Sequence, residues 1–184
     1  SEMCIRDSIS TGGFSVVLLR HLAIHILLID VGYGILEYQL RKNKQLSLLE
    51  RTNAREVTKE EINENLKKHH LSITDIQLVV MDVSFISVFK ILPNLLQLLN
   101  NNTEYIILIK PQFEARSEQV GKNGIVKSAY VHASVLSKVI VSFMKCGLRF
   151  KGLVPSIIKG HGGNQEFFVW FNNPGFDNQI LNIR

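Results

Sequence analysis

Three apolar runs in this 184-residue sequence stop on a residue that can do chemistry. The run 24–29 stops on Asp30, the run 76–81 on Asp82, and the run 105–109 on Lys110, where Pro111 bars continuation. A carboxylate and an amine at neighbouring strand ends can form a charge pair, move a proton or steady a developing negative charge. Taken singly, each has a plainer role: a strand-end aspartate caps the next helix, and a strand-end lysine reaches water. Ahead of them, Ser10-Thr11-Gly12-Gly13-Phe14 is a small-residue turn into a helix, which exposes backbone N–H groups to a ligand. Asp30 then suits a ribose diol, because a carboxylate accepts from two hydroxyls. Turn and acid together point to a nucleoside-containing cofactor.

The elements that must position these residues follow from hydrophobic period. Strands are expected at 24–29, 46–49, 76–81, 105–109, 148–154 and 166–171. Helices are expected at 15–22, 35–42, 87–100 and 132–146, with Pro93 a kink or boundary in the third. One more starts at the capping box of Thr58 and Glu61 and runs to about Lys68. Strand and helix alternate, so the expected fold is α/β, a mostly parallel sheet with helices on both faces. The last two strands have no helix between them and form an antiparallel edge pair. Residues 1–8 show neither alternation nor helical period. Open α/β sheets bind ligands beyond the carboxyl ends of their strands, which is where Asp30, Asn53, Asp82 and Lys110 fall.

Composition sets the outer bounds. The chain is 46% hydrophobic and 20% charged, enough for one packed domain, and its formal charge of +5 is compatible with a polyanion. Cys4 and Cys146 have no metal or disulfide spacing, and the six histidines have no ligand spacing, so no metal is assigned. No apolar run reaches the roughly 18 residues of a membrane span. The N-terminus lacks the pattern of a signal peptide, and the expected compartment is the cytoplasm.

Six segments occur in a telling order: Ser10-Thr11-Gly12-Gly13-Phe14, Asp30-Val31-Gly32-Tyr33-Gly34, Glu50-Arg51-Thr52-Asn53-Ala54-Arg55, Asp82-Val83-Ser84-Phe85-Ile86-Ser87, Lys110-Pro111-Gln112-Phe113-Glu114, and Lys159-Gly160 through Gly163-Asn164-Gln165-Glu166-Phe167. The sequence resembles, from about Ser10 to Phe171, the TlyA family of rRNA 2'-O-methyltransferases, often labelled hemolysins, within the FtsJ-like group. The resemblance implies a Rossmann-like S-adenosylmethionine-dependent sheet with a reversed last strand. It implies rRNA or ribosomal subunits as partners, no membrane, no obligate protein partner, and a cytidine ribose as acceptor.

The family's catalytic Lys-Asp-Lys-Glu set then maps onto Asp82, Lys110 and Glu166; its first lysine lies upstream and has no counterpart, nor does its N-terminal RNA-binding module. Residues 5–9 depart from the family's entry to the Gly-rich turn. The first strand is therefore expected to be missing or replaced, with 1–9 foreign, 10–172 the methyltransferase domain and 173–184 a tail. Lys110 is expected to orient the 2'-hydroxyl and either deprotonate it or, where the carboxylates keep the amine protonated, stabilise the oxygen electrostatically, with Asp82 and Glu166 positioning the lysine and tuning its charge. Ser10, Thr11, Gly12, Gly13, Phe14, Asp30, Asn53, Ala54 and Asp82 are expected to hold the cofactor. Arg116, Lys122 and Lys159, with Lys127, sit on loops where they can meet RNA phosphates, and Phe113 can stack on a base. Two other readings stand beside this one: a membrane-active hemolysin, and an inactive RNA- or cofactor-binding fragment.

Overall fold

The computed structural model describes residues 3–7, 13–34 and 36–174, the first of these groups by backbone alone. Seven strands form one sheet: β1 Met3–Asp7, β2 His25–Ile29, β3 Leu46–Leu49, β4 Ile76–Met81, β5 Glu104–Ile109, β6 Arg149–Pro155 and β7 Phe167–Asn172. Their spatial order is β3-β2-β1-β4-β5-β7-β6. The first five run parallel, and β7 lies antiparallel between β5 and β6. This is the expected sheet with its reversed last strand.

Of the two expectations for the first strand, missing or replaced, the first is corrected: its place is filled, and Met3–Asp7 lies at the centre of the sheet, paired with β2 and β4. Two neighbours with open ladders impose extended backbone on a segment whose own pattern is weak, because strand formation depends on its pairing context.

Strand residues divide by alternation between two cores. Leu27, Ile29, Val79, Met81, Ile107 and Ile109 face one cluster. That cluster is completed by α3 Lys59–Lys67, α4 Leu92–Leu98 and α6 Ala129–Lys145 through Ile62, Leu66, Leu95, Val135 and Phe143. Ile26, Leu28, Leu78 and Val80 face the other, under α1 Gly13–Arg20 and α2 Tyr38–Arg41. Each fully buried Leu or Ile contributes on the order of 1.5–3 kcal/mol, so the sheet itself is the main store of stability.

Local signals explain the helix limits. At α3 the Thr58 Oγ1 accepts from Glu61 N at 3.2 Å, and Glu61 Oε2 accepts from Thr58 N at 2.8 Å, a reciprocal cap worth about 1 kcal/mol. The helix expected over 87–100 divides into a 3-10 turn, Val88–Lys90, and α4, because Pro93 has no N–H to donate and is accepted only in a first turn. The helix expected over 35–42 shrinks to the four residues of α2, since Leu36 is drawn into the core and Gly34 turns at φ +74°. The loop after β5 opens with a single turn, α5 Pro111–Glu114.

Candidate active site

The parallel order places the ends of β4 and β5 side by side, so Asp82 and Lys110 emerge together. Lys110 Nζ lies 2.8 Å from Asp82 Oδ1 and donates to Ser84 Oγ at 2.8 Å. Both charged side chains are largely buried, at 12% and 11% exposure. An ion pair this shielded is screened far less than a surface pair, and breaking it strands one buried charge.

Glu166 precedes β7. Because β7 is antiparallel, its first residue, Phe167, pairs with Ile109 at the finish of β5, which brings Glu166 to the same end of the sheet. Its carboxylate is 8% exposed and accepts from Gln112 Nε2 at 3.1 Å. Among the described residues Glu166 makes no ion pair with Lys110; its contact is with Gln112, on the segment that follows the lysine. Gly160 is packed tightly here: a β-carbon would collide with Glu166 Oε1.

A cavity of about 600 Å³ opens beside this group, within the usual size of a small-molecule site. Asp82 and Glu166 stand on its wall with Gly13, Phe14, Leu108 and Phe168. Phe14 meets Phe168 edge to face at 5.7 Å. The space above Gly13 at the start of α1 is open, with nothing within 4 Å of where a β-carbon would stand. A nucleoside-sized ligand fits such a site, since the cavity is apolar in body and carries the carboxylates of Asp82 and Glu166 on its wall.

Other expected residues fall as follows. Asp30 is 5% exposed at the end of β2, and its Oδ1 accepts from Gly32 N at 2.6 Å. Asn53 Oδ1 takes Arg55 N and Nε at 3.1 and 3.2 Å, bending the chain after β3. Ala54 is 1% exposed and packs into the larger core, with its carbonyl held by Asn94; its side chain is not presented to the cavity. Ser10, Thr11 and Gly12 lie outside the described residues. Arg116, Lys122, Lys127 and Lys159 are all exposed, and Lys159 Nζ donates to Gln165 Oε1 at 2.5 Å. Phe113 meets Phe85 at 5.1 Å, and Phe85 is 90% exposed at φ +62°.

Sequence reasoning missed Ser84, Gln112 and Glu114. Glu114 accepts from Ser87 Oγ at 2.6 Å and Val88 N at 2.9 Å. Burial pushes its carboxyl above the usual range, against the pull of Ser87, Val88 and the Lys138 charge. All three lie within the quoted segments, which was the one signal available for them.

The family model for FtsJ-like methyltransferases matches residues 4–173. The chain belongs to that family. Among curated relatives of this FtsJ-like chain, Hemolysin A of Brachyspira hyodysenteriae is 35% identical over 171 residues, covering 93% of this chain and 68% of its own. The 16S/23S rRNA (cytidine-2'-O)-methyltransferase TlyA of Mycobacterium tuberculosis is 37% identical over 91% of this chain and 59% of its own. A solved structure from Lactococcus lactis, described by the name hemolysin, superposes with a TM-score of 0.83 at 36% identity, covering 94% of this chain and 78% of that one. The N-methyltransferase NodS of Bradyrhizobium japonicum shares the fold alone, with a TM-score of 0.60 at 12% identity, over 95% of this chain and 79% of that one. The chain spans 59% of the TlyA relative's length. The FtsJ-like match begins at residue 4, inside β1, so the central strand is part of the matched domain.

Proposed function

We propose that this chain methylates the ribose 2'-hydroxyl of rRNA, a cytidine by kinship, with S-adenosylmethionine as donor. The observation that carries the reading is the buried Lys110–Asp82 pair, whose aspartate stands on the wall of a nucleoside-sized cavity. S-adenosylmethionine, when bound, supplies an electrophilic methyl and its own leaving group. Gly13 and Phe14 would hold it along the cavity, Asp30 would take its ribose hydroxyls, and Asn53 would border its base.

The chain's own work is to align the acceptor and deal with its proton. Lys110 Nζ has three valences beyond its carbon, and Asp82 and Ser84 occupy two. The third would serve the acceptor: a lone pair there would take the hydroxyl proton, and an N–H there would stabilise the oxyanion. Glu166 is held by Gln112, two residues beyond Lys110, which ties the carboxylate to the segment that carries the amine. Arg116, Lys122 and Lys159 offer exposed charge to phosphates, which position RNA without reading its sequence. The work is expected in the cytoplasm, where ribosomal subunits are.

The name hemolysin, carried by some relatives, calls for a membrane-active element. The longest described helix, α6, spends its apolar stripe on the core through Val131, Val135, Val139 and Phe143. Among the described residues no helix is long and apolar enough to cross a membrane.

The test is transfer of labelled methyl to ribosomal subunits, read as 2'-O-methylcytidine after digestion. Lys110→Ala is expected to lower transfer by roughly 10²–10⁴-fold while cofactor affinity holds. Transfer that survives the substitution removes Lys110 from its role, and label found in protein or lipid instead of RNA overturns the substrate.

A further inference from the structure

We infer that Glu114 is a positioning residue: through Ser87 and Val88 it holds the Ser84 hydroxyl against Lys110 Nζ. This rests on the reading of Lys110 as the acting group and deepens it.

The argument starts at the amine. Nothing in a lysine side chain fixes rotation about its last bond, so the direction of the third valence depends on the other two partners. Asp82 is on a rigid strand end, but Ser84 is not. It sits on the exposed segment between β4 and the 3-10 turn Val88–Lys90, where no ladder holds the backbone. The next residue, Phe85, has φ +62°. A bulky aromatic residue in that region costs on the order of 1–3 kcal/mol and persists only when its surroundings determine it.

What determines it lies on the segment carrying Lys110. The Phe85 and Phe113 rings meet at 5.1 Å with planes 48° apart. Glu114 then receives Ser87 Oγ at 2.6 Å and Val88 N at 2.9 Å. The two segments are thus laced at three successive levels: Ser84 to Lys110, Phe85 to Phe113, and Ser87 to Glu114. The last level is the anchor, because it alone fixes a backbone N–H. A part-buried carboxylate is a costly way to fill that place, and burial pushes Glu114 above the usual carboxylate range. An apolar side chain would be cheaper for folding but could not hold the segment in register. Glu114 does not reach the cavity wall, so its influence passes through Ser84.

The experiment reads solvent exchange of the Lys110 ammonium protons by ¹H–¹⁵N NMR on the full chain. Ser84→Ala is expected to speed exchange about tenfold, and Glu114→Ala about fivefold, as each loses a hydrogen bond that held the amine. The double variant is expected to be no faster than Ser84→Ala, since both changes remove one contact. Glu114→Gln is expected to stay within about threefold of the parent, because an amide can still accept from Val88 N–H and bond Ser87. Parental exchange in Glu114→Ala, multiplied effects in the double variant, or a Gln variant as labile as the Ala variant each overturn the inference. Should Glu114→Ala fail to fold, Ser87→Ala cuts the same brace, with faster exchange expected and a parental rate decisive against it. These rates are read without RNA or cofactor, so a chain that labels no RNA defeats the methyltransferase reading and leaves the brace to be judged separately.

Discussion

Among the described side chains, two buried aspartates stand directly after strands of the sheet, and the two behave differently. Asp30, after β2, turns back on its own loop: its Oδ1 accepts from Gly32 N, and its carbonyl accepts from Thr52 N at 2.9 Å. Asp82, after β4, reaches sideways to Lys110 on the adjoining strand. One carboxylate shapes a turn and the other fixes a cation. Their sequence contexts look alike, each an apolar run closed by an acid. The difference comes from strand order, since β4 has β5 beside it and β5 is followed at once by Lys110 and Pro111. A strand-end acid therefore acquires its chemistry from its neighbour in the sheet.

The largest effect is expected from exchanging charge at the two acids. Asp82→Asn removes the counter-charge of Lys110 and is expected to lower transfer by about 10²-fold or more, with a smaller loss of cofactor affinity. Asp30→Asn can keep the bond to Gly32 and is expected to weaken cofactor binding by about tenfold, with turnover retained at saturation. Titration of the cofactor beside steady-state turnover checks both. The reverse pattern, turnover lost at Asp30 and only affinity at Asp82, would break the comparison.

An intermediate effect is expected at Gly160, whose β-carbon would collide with the Glu166 carboxylate. The carboxylate is the free end of a flexible side chain, so Gly160→Ala displaces it instead of unfolding the hairpin. Transfer is expected to fall about tenfold, while the melting temperature moves by only about 2–4 °C. Full activity in this variant would show that the placement of Glu166 is not needed.

The smallest effect lies at the opposite end of the sheet. His25, at the start of β2, is 2% exposed, bonds Ser47 Oγ at 2.9 Å and stacks near His69 at 4.1 Å. Burial, and then the His69 charge, lower it from 6.5 to about 4. The unfolded chain therefore binds the extra proton first, so stability present above 6.5 is lost as pH falls from there through about 4. Melts across that window are expected to decline less steeply in His25→Gln; an unchanged slope would assign the acid loss elsewhere.

Much of this was legible in the sequence because local signals agreed with the fold. Thr58 and Glu61 announced α3, and the runs closing on Asp82 and Lys110 announced two strands and the two side chains that pair at their ends. The limits were equally physical. Leu36 was counted toward a helix because period cannot tell a helical face from a core anchor beside a turning glycine. Met3–Asp7 read as patternless because its strand character comes from β2 and β4. Ser84, Gln112 and Glu114 carry no signature of their own; each matters through a partner on another loop.

The reversed β7 has a consequence for how the protein comes into being. During synthesis Asp82 and Lys110 leave the ribosome well before Glu166. Until β7 arrives, β5 ends the sheet with an open row of backbone donors and acceptors, an invitation to foreign strands. The strand that closes this edge also delivers the last acid to the site. A nascent chain is thus exposed to aggregation and lacks Glu166 for the same interval, and both conditions end when one hairpin docks.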